Sequence, residues 1–406
     1  MRVFLLYILS SIALSPFSQI EGLIYNRTTN LPLSFANIGL VGSTKGCVSN
    51  EDGQFSLNVS DDLSTLRIRI SAVGIESIEL PASSISESDT IWVKEKTTTL
   101  AELKVYNNLP PAIEMVRISL NKLPDLGYWK RYALNTFYRH YCAEKDIYGR
   151  LIEAAVTLTD NKGHKKKVEK PADKIGVNVT ELRKSYDFTT NFDEHEPISI
   201  YSTLKYDVMS YPTILSFYPE EYNFRLVDTS FIDSKMLWVI QYNYDQISRV
   251  KTDTVREHSS GKIYINSEDY GVYLIEEHKE GTIEKTYETQ SMIIDWRVQY
   301  QKYEGHYFLK YISETSTSFE EVRSTDQEVV QSKDHKAHVE MMVNEIQLFD
   351  VQKNTKTEPQ KDELDAMEYH ADFWNKYTVL KNTPLDDKIR VDLAKRAELE
   401  QQFEGN

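Results

Sequence analysis

The sequence predicts a mainly β protein, in which a small β-sandwich precedes a larger antiparallel sheet with flanking helices. Three observations carry this. Apolar and polar residues alternate with period two through much of the chain, as in Leu66, Ile68, Ile70 and Ala72 against Arg67, Arg69 and Ser71. Tyrosine outnumbers phenylalanine, 26 to 15, and a ring carrying a hydroxyl suits half-buried strand positions. Helical spacing is confined to the stretch after Pro110 and to the residues after 356.

The 406-residue chain is long enough for more than one core. Its formal net charge of -15 argues against nucleic acid and against an electrostatic hold on anionic lipid, since both need clustered basic residues. Arg2 followed by the apolar run Val3 to Leu14 reads as a signal peptide over 1–19, too short to span a bilayer. An exported mature chain without a transmembrane segment is therefore expected. Cys47 and Cys142, in different expected domains, are read as unpaired, half-buried thiols.

After the leader, Gly22 to Tyr25, Phe35 to Val41, Gly46 to Asn50, Phe55 to Val59, Leu66 to Ala72, Ile78 with Leu80, and Thr90 to Val93 read as seven short strands. Glu51-Asp52-Gly53 is a turn in which glycine supplies the positive φ. The order of Gly22-x-Ile24-Tyr25, Leu31-Pro32-Leu33-x-x-Ala36-Asn37-Ile38, Gly46 to Phe55 and Ile70-Ser71-Ala72-Val73-Gly74 resembles the carboxypeptidase-D regulatory-like domain, and Leu100 to Val105 is similar to that family's usual exit. The resemblance covers 20–106 and implies a transthyretin-like sandwich. Cys47 stands where that family usually has a small hydroxyl residue and Ile75 where it has an aromatic one, both read as packing variants.

From Pro110, Ile113, Val116, Leu120 and Leu123 recur at helical spacing until Pro124 and Gly127, a connecting helix within 107–127. An antiparallel β domain is expected over 128–355, curled enough to allow a half-barrel, with hairpin turns at Ser267 to Gly271 and Glu304-Gly305. In it Ile263 and Ile265 are expected to share a face with Leu274, opposite Tyr264 and Tyr273. Lys165-Lys166-Lys167 reads as a solvated loop, and 197–220, broken by Pro197, Pro212 and Pro219, has no clear period. Helices are expected over 356–406, with Leu364, Met367, Ala371 and Trp374 on one face and Ile389, Leu393 and Ala397 on another.

Chemistry is sparse. Zinc carboxypeptidases need His-x-x-Glu, and none of the nine histidines has glutamate three residues on. His335 and His338 are the one close pair, spaced to share a helix turn as two ligands, but a third ligand is not evident and a solvated segment is the better reading. No nucleophile elbow, phosphate loop or Cys-x-x-Cys occurs. No catalytic, cofactor or metal residue is therefore assigned. One constellation stands out: Glu153 interrupts an apolar strand, where a lone buried charge would be costly, and Arg139 in the preceding strand is its natural partner. That pair is either a buried ion pair fixing strand register or a polar anchor in a ligand cavity.

The functional expectation is a non-enzymatic exported protein, in the periplasm or at the outer membrane, that binds a lipid, a glycan or a protein partner through its β domains. The alternatives are an accessory subunit of a TonB-dependent receptor system, and a hydrolase whose carboxylates only geometry could reveal.

Overall fold

The computed structural model describes residues 18–60, 62–86, 89–96, 109–145, 147–163, 170–189, 200–209, 219–326 and 328–405. The leader run to Leu14, the exit motif at Leu100 to Val105, the Lys165 to Lys167 loop, Pro197 and Pro212 lie outside the described residues.

Eight short strands build the sandwich: β1 (Ser18–Asn26), β2 (Leu31–Pro32), β3 (Asn37–Leu40), β4 (Gly46–Val48), β5 (Gln54–Val59), β6 (Arg67–Ser71), β7 (Ile78–Pro81) and β8 (Thr90–Val93). One sheet runs β2-β1-β5 with β8 parallel to β1, and the other runs β4-β3-β6-β7. Alternation along β1 and β6 buries Ile20, Ile24, Ile68 and Ile70 between the sheets, each worth about 1.5–3 kcal/mol. Gly53 sits at φ +77° in the expected turn, and a Cβ there would stand 2.5 Å from the Ile24 carbonyl oxygen. Cys47 and Ile75 are both buried in this core. Beyond the seven expected strands, Leu31–Pro32 adds a two-residue edge strand.

The remaining described strands form one open ten-stranded antiparallel sheet, not closed into a barrel. Its strands are β9 (Tyr132–Glu144), β10 (Ile147–Asp160), β11 (Ile175–Lys184), β12 (Asn223–Ile232), β13 (Lys235–Val250), β14 (Asp253–Asn266), β15 (Val272–Glu284), β16 (Glu288–Tyr303), β17 (His306–Arg323) and β18 (Val329–Gln347). In space they run β11-β10-β9-β18-β17-β16-β15-β14-β13-β12, so the last strand returns to pair with the first. Both expected hairpin turns form, and Glu304 and Gly305 both take positive φ, as a two-residue loop with the strands' own twist requires.

The facing residues in one hairpin differ from the expectation. Ile263 pairs with Ile275, and Leu274 lies opposite Tyr264. A bulge between Tyr264 and Ile265 inserts Tyr273 as an extra residue and shifts the register there.

Each sheet face has its own cover. The connecting helix Ala112–Leu126 packs Met115, Val116, Leu120 and Leu123 on one face, in a core with Tyr138, Ile152, Ile240 and Ile263. The sandwich sits on the other, where its core is continuous with Phe137, Tyr311 and Met342. The C-terminal segment begins on the helix-covered side, where Leu364 of Lys361–Asp365 joins the first core, and then continues on the sandwich face as Ala371–Trp374, Pro384–Ala394 and Leu399–Glu404. The expected stripe from Leu364 to Trp374 is therefore split over two helices. Ile389 and Leu393 pack on Tyr141 and Leu151, whereas Ala397 falls between helices.

Candidate functional site: a charged cleft beneath the sandwich

Strand register places a continuous polar row across the whole sheet. Arg225, Gln241, Lys262, Glu276, Arg297, Ser313, Glu340, Arg139, Glu153 and Arg183 lie directly opposite one another in turn, from β12 to β11. Directly opposed residues share a face, so all ten point toward the sandwich side. Two residues away on each strand, Val239, Tyr264, Leu274, Gln299, Tyr311, Met342, Phe137 and Ala155 form a mostly apolar row, part of which packs on the sandwich. On the far side, Asn243, Ser260, His278, Asp295, Thr315, His338 and Tyr141 form a second polar row. The sandwich stops at the charged row, and a cleft of about 620 Å³ opens there.

The buried end of the row is an ion network centred on Arg139, which is 1% exposed. Its guanidinium meets Glu153 at 2.9 Å, Glu340 at 3.1 Å and Asp386 at 3.4 Å. It also donates to the Leu380 carbonyl and to Asn382 Oδ1, both at 3.0 Å. Glu153, fully buried, takes further cations from Arg183 at 2.7 Å and Arg390 at 3.4 Å. Burial alone would raise the Glu153 pKa, but Arg183, Arg139 and Arg390 together hold it far below the usual carboxylate range. Thr383 caps the Pro384–Ala394 helix by accepting from the Asp386 amide, while Asp386 accepts from the Thr383 amide. That capping box fixes the Asp386 carboxylate over Arg139.

Neither Arg139 nor Glu153 lines the cleft, whereas Glu340 and Asp386, their network partners, do. Burial opposes ionisation of Glu340, yet His338 and Arg139 hold its pKa below the usual value. Tyr311 donates to Glu340 at 2.9 Å. His338 stacks on Tyr141 with ring centres 4.8 Å apart and bonds Thr315 at 2.7 Å. At the far wall Arg297 pairs with Glu276 and lies 4.7 Å over the Phe35 ring. Phe35 itself reaches in from the sandwich on a backbone at φ +55°, a conformation that non-glycine residues seldom adopt.

This arrangement holds charge in place more than it moves protons. Among the described residues two carboxyls have raised pKa values through burial, Glu277 and Glu314, and both project from the helix-covered face. There Glu277 accepts from Tyr242 and Ser259, each at 2.8 Å. His335 and His338 lie in β18, not in a helix, and an odd spacing in a strand sends their rings to opposite faces. They cannot share a metal as that spacing on a helix would allow. Among the described residues no group of three or more His, Cys, Asp or Glu is gathered to hold a metal. Cys47 and Cys142 are both buried and unpaired.

Residues 20–105 match the CarboxypepD_reg-like domain family, so the sandwich is a carboxypeptidase-D regulatory-like domain segment. That domain type is non-catalytic. No curated protein matches the chain. No helix among the described residues is long and apolar enough to cross a membrane.

Proposed function

We propose that this protein is a non-enzymatic binding protein, exported to the periplasm or outer membrane, that holds a saccharide in the cleft beneath the sandwich. The observation that carries the reading is the cleft wall itself. It presents Lys262, Glu276, Ser313, Thr315, His338 and Asp386 around a volume in the range of small-ligand sites. Hydroxyl-rich ligands exchange water hydrogen bonds for bonds to such groups, whereas an acyl chain would strip them of water with no return. A glycan therefore fits better than a lipid. Export rests on the apolar run after Arg2.

Calorimetric titration with neutral and acidic oligosaccharides, and with phospholipid vesicles as the contrasting probe, tests this. The expected result is saccharide binding that weakens in a Lys262→Ala, Thr315→Val double variant, with the saccharide recovered intact afterwards. Vesicle binding without saccharide binding would overturn the ligand class. Cleavage products would establish the hydrolase alternative, and co-purification of a barrel receptor the accessory-subunit one.

A further inference from the structure

A second cavity, of about 350 Å³, lies between the sandwich and the sheet, away from the charged cleft. Lys310 reaches its wall because β17 bulges there. Tyr311 and Leu309 pair with Gln299 and Tyr300 of β16, and Lys310 is the extra residue, turned toward Cys47 of the sandwich. Bulges re-aim side chains in this way. Its ammonium is 1% exposed and donates to one acceptor among the described residues, the Val343 carbonyl at 2.9 Å. No carboxylate of a described residue pairs with it, and burial pushes its pKa down to about 8. A buried cation with two unused N–H groups and no counter-charge is costly.

The same cavity holds other polar atoms without partners. Gln299, 5% exposed, has an unbonded Oε1, and Asn37 Oδ1 and Gln301 Nε2 are likewise unpaired. Charge points the same way. Of the lining cations, Lys45 pairs with Glu345, Lys302 with Asp269, and Arg69 with Glu79 and Asp233, which leaves Lys310 as the one without a carboxylate among the described residues. We propose that this cavity is a second binding site, for a small carboxylate bearing neighbouring hydroxyls. Lys310 pairs with its carboxylate, and the Gln299 and Asn37 oxygens accept from its hydroxyls. A hydroxy acid or a sugar acid has this chemistry, either free or as the terminal unit of a glycan.

Titrating the full chain with D-glucuronate and D-glycerate, with D-glucose and glycerol as neutral controls, tests the site. With the saccharide cleft weakened by Lys262→Ala, Thr315→Val in the titrated chain, the acids are expected to bind and the neutral compounds not. Lys310→Met keeps the stem and removes the charge, so it should fold and weaken acid binding roughly tenfold or more. Because that background already lacks two groups of the saccharide cleft, acid binding in it reads this site rather than the other. Bound acid should also protect Lys310 from an amine-acylating reagent, read by peptide mass spectrometry. A uronate-terminated oligosaccharide binding more tightly than the free acid would identify a glycan end as the source, and the reverse a free metabolite. Equal acid affinity in Lys310→Met, or no binding of either acid at millimolar concentration, would overturn the proposal and leave a water-filled cavity.

Discussion

Replacing Glu153 by Gln removes one charge from the ion network while keeping its shape. The wild-type carboxylate faces Arg139 at 2.9 Å, Arg183 at 2.7 Å and Arg390 at 3.4 Å, and is wholly inaccessible to solvent. Breaking a buried pair by removing one partner costs about 3–5 kcal/mol. Arg139 keeps Glu340 and Asp386 in the variant, so the loss belongs near the lower end of that range, about 3 kcal/mol. The effect depends on pH. Glu153 titrates far lower in the folded chain than its ordinary value of 4.5. A carboxyl of this kind contributes its full stabilisation above the unfolded value and loses it as pH falls toward the folded one. Wild type should therefore exceed Glu153→Gln in urea midpoint at neutral pH, with the gap closing below about pH 4.5 at up to about 1.4 kcal/mol per pH unit. Urea titrations of both proteins from neutral pH to about pH 3 measure it. Parallel loss of stability in the two proteins, or equal midpoints at neutral pH, would refute the assignment of Glu153 as the network's buried anion.

Other outcomes follow from the same geometry. Arg139→Met leaves Glu153, Glu340 and Asp386 without their shared cation and should cost about 3–5 kcal/mol, seen as a lower thermal midpoint. Phe35→Gly should be more stable than Phe35→Ala by about 1 kcal/mol in thermal unfolding, because φ +55° favours glycine over any residue with a Cβ. Gly53→Ala should destabilise the sandwich by more than about 1 kcal/mol, since its Cβ meets the Ile24 carbonyl and φ is +77°. Lys310→Met should raise stability at neutral pH by about 3 kcal/mol, because the folded chain holds a buried ammonium whose pKa has fallen from 10.5 to about 8. The unfolded chain binds more protons between those values, so wild type gains on the variant as pH rises above about 8, and thermal midpoints across that window check the sign.

Much of the fold was legible because strand periodicity is local. Leu66 to Ala72 declares its buried face without help from distant residues. The outer halves of the long strands were not legible in the same way. β13 runs on to Val250 and β17 to Arg323, through segments that expose Ile247 and Phe319 and offer no polar–apolar alternation to read. β11 carries a short local signal, Val177 and Val179 alternating with Asn178 and Thr180. At the site, the Arg139–Glu153 pairing followed from neighbouring strands. Its partners Glu340 and Asp386 have no local signal, because Glu340 arrives through the long-range pairing of β18, the sheet's last strand, with β9, its first, and Asp386 comes from the C-terminal Pro384–Ala394 helix. Lys310 escaped for a related reason: a bulge sets its direction, and nothing in the local sequence signals it.

Native mass spectrometry of the protein purified from its own source tests the central claim most directly, with wild type compared against the Lys262→Ala, Thr315→Val chain. A saccharide adduct on wild type that disappears from the variant is the expected result. A bare wild-type chain, or an adduct that persists in the variant, would contradict the cleft as the binding site.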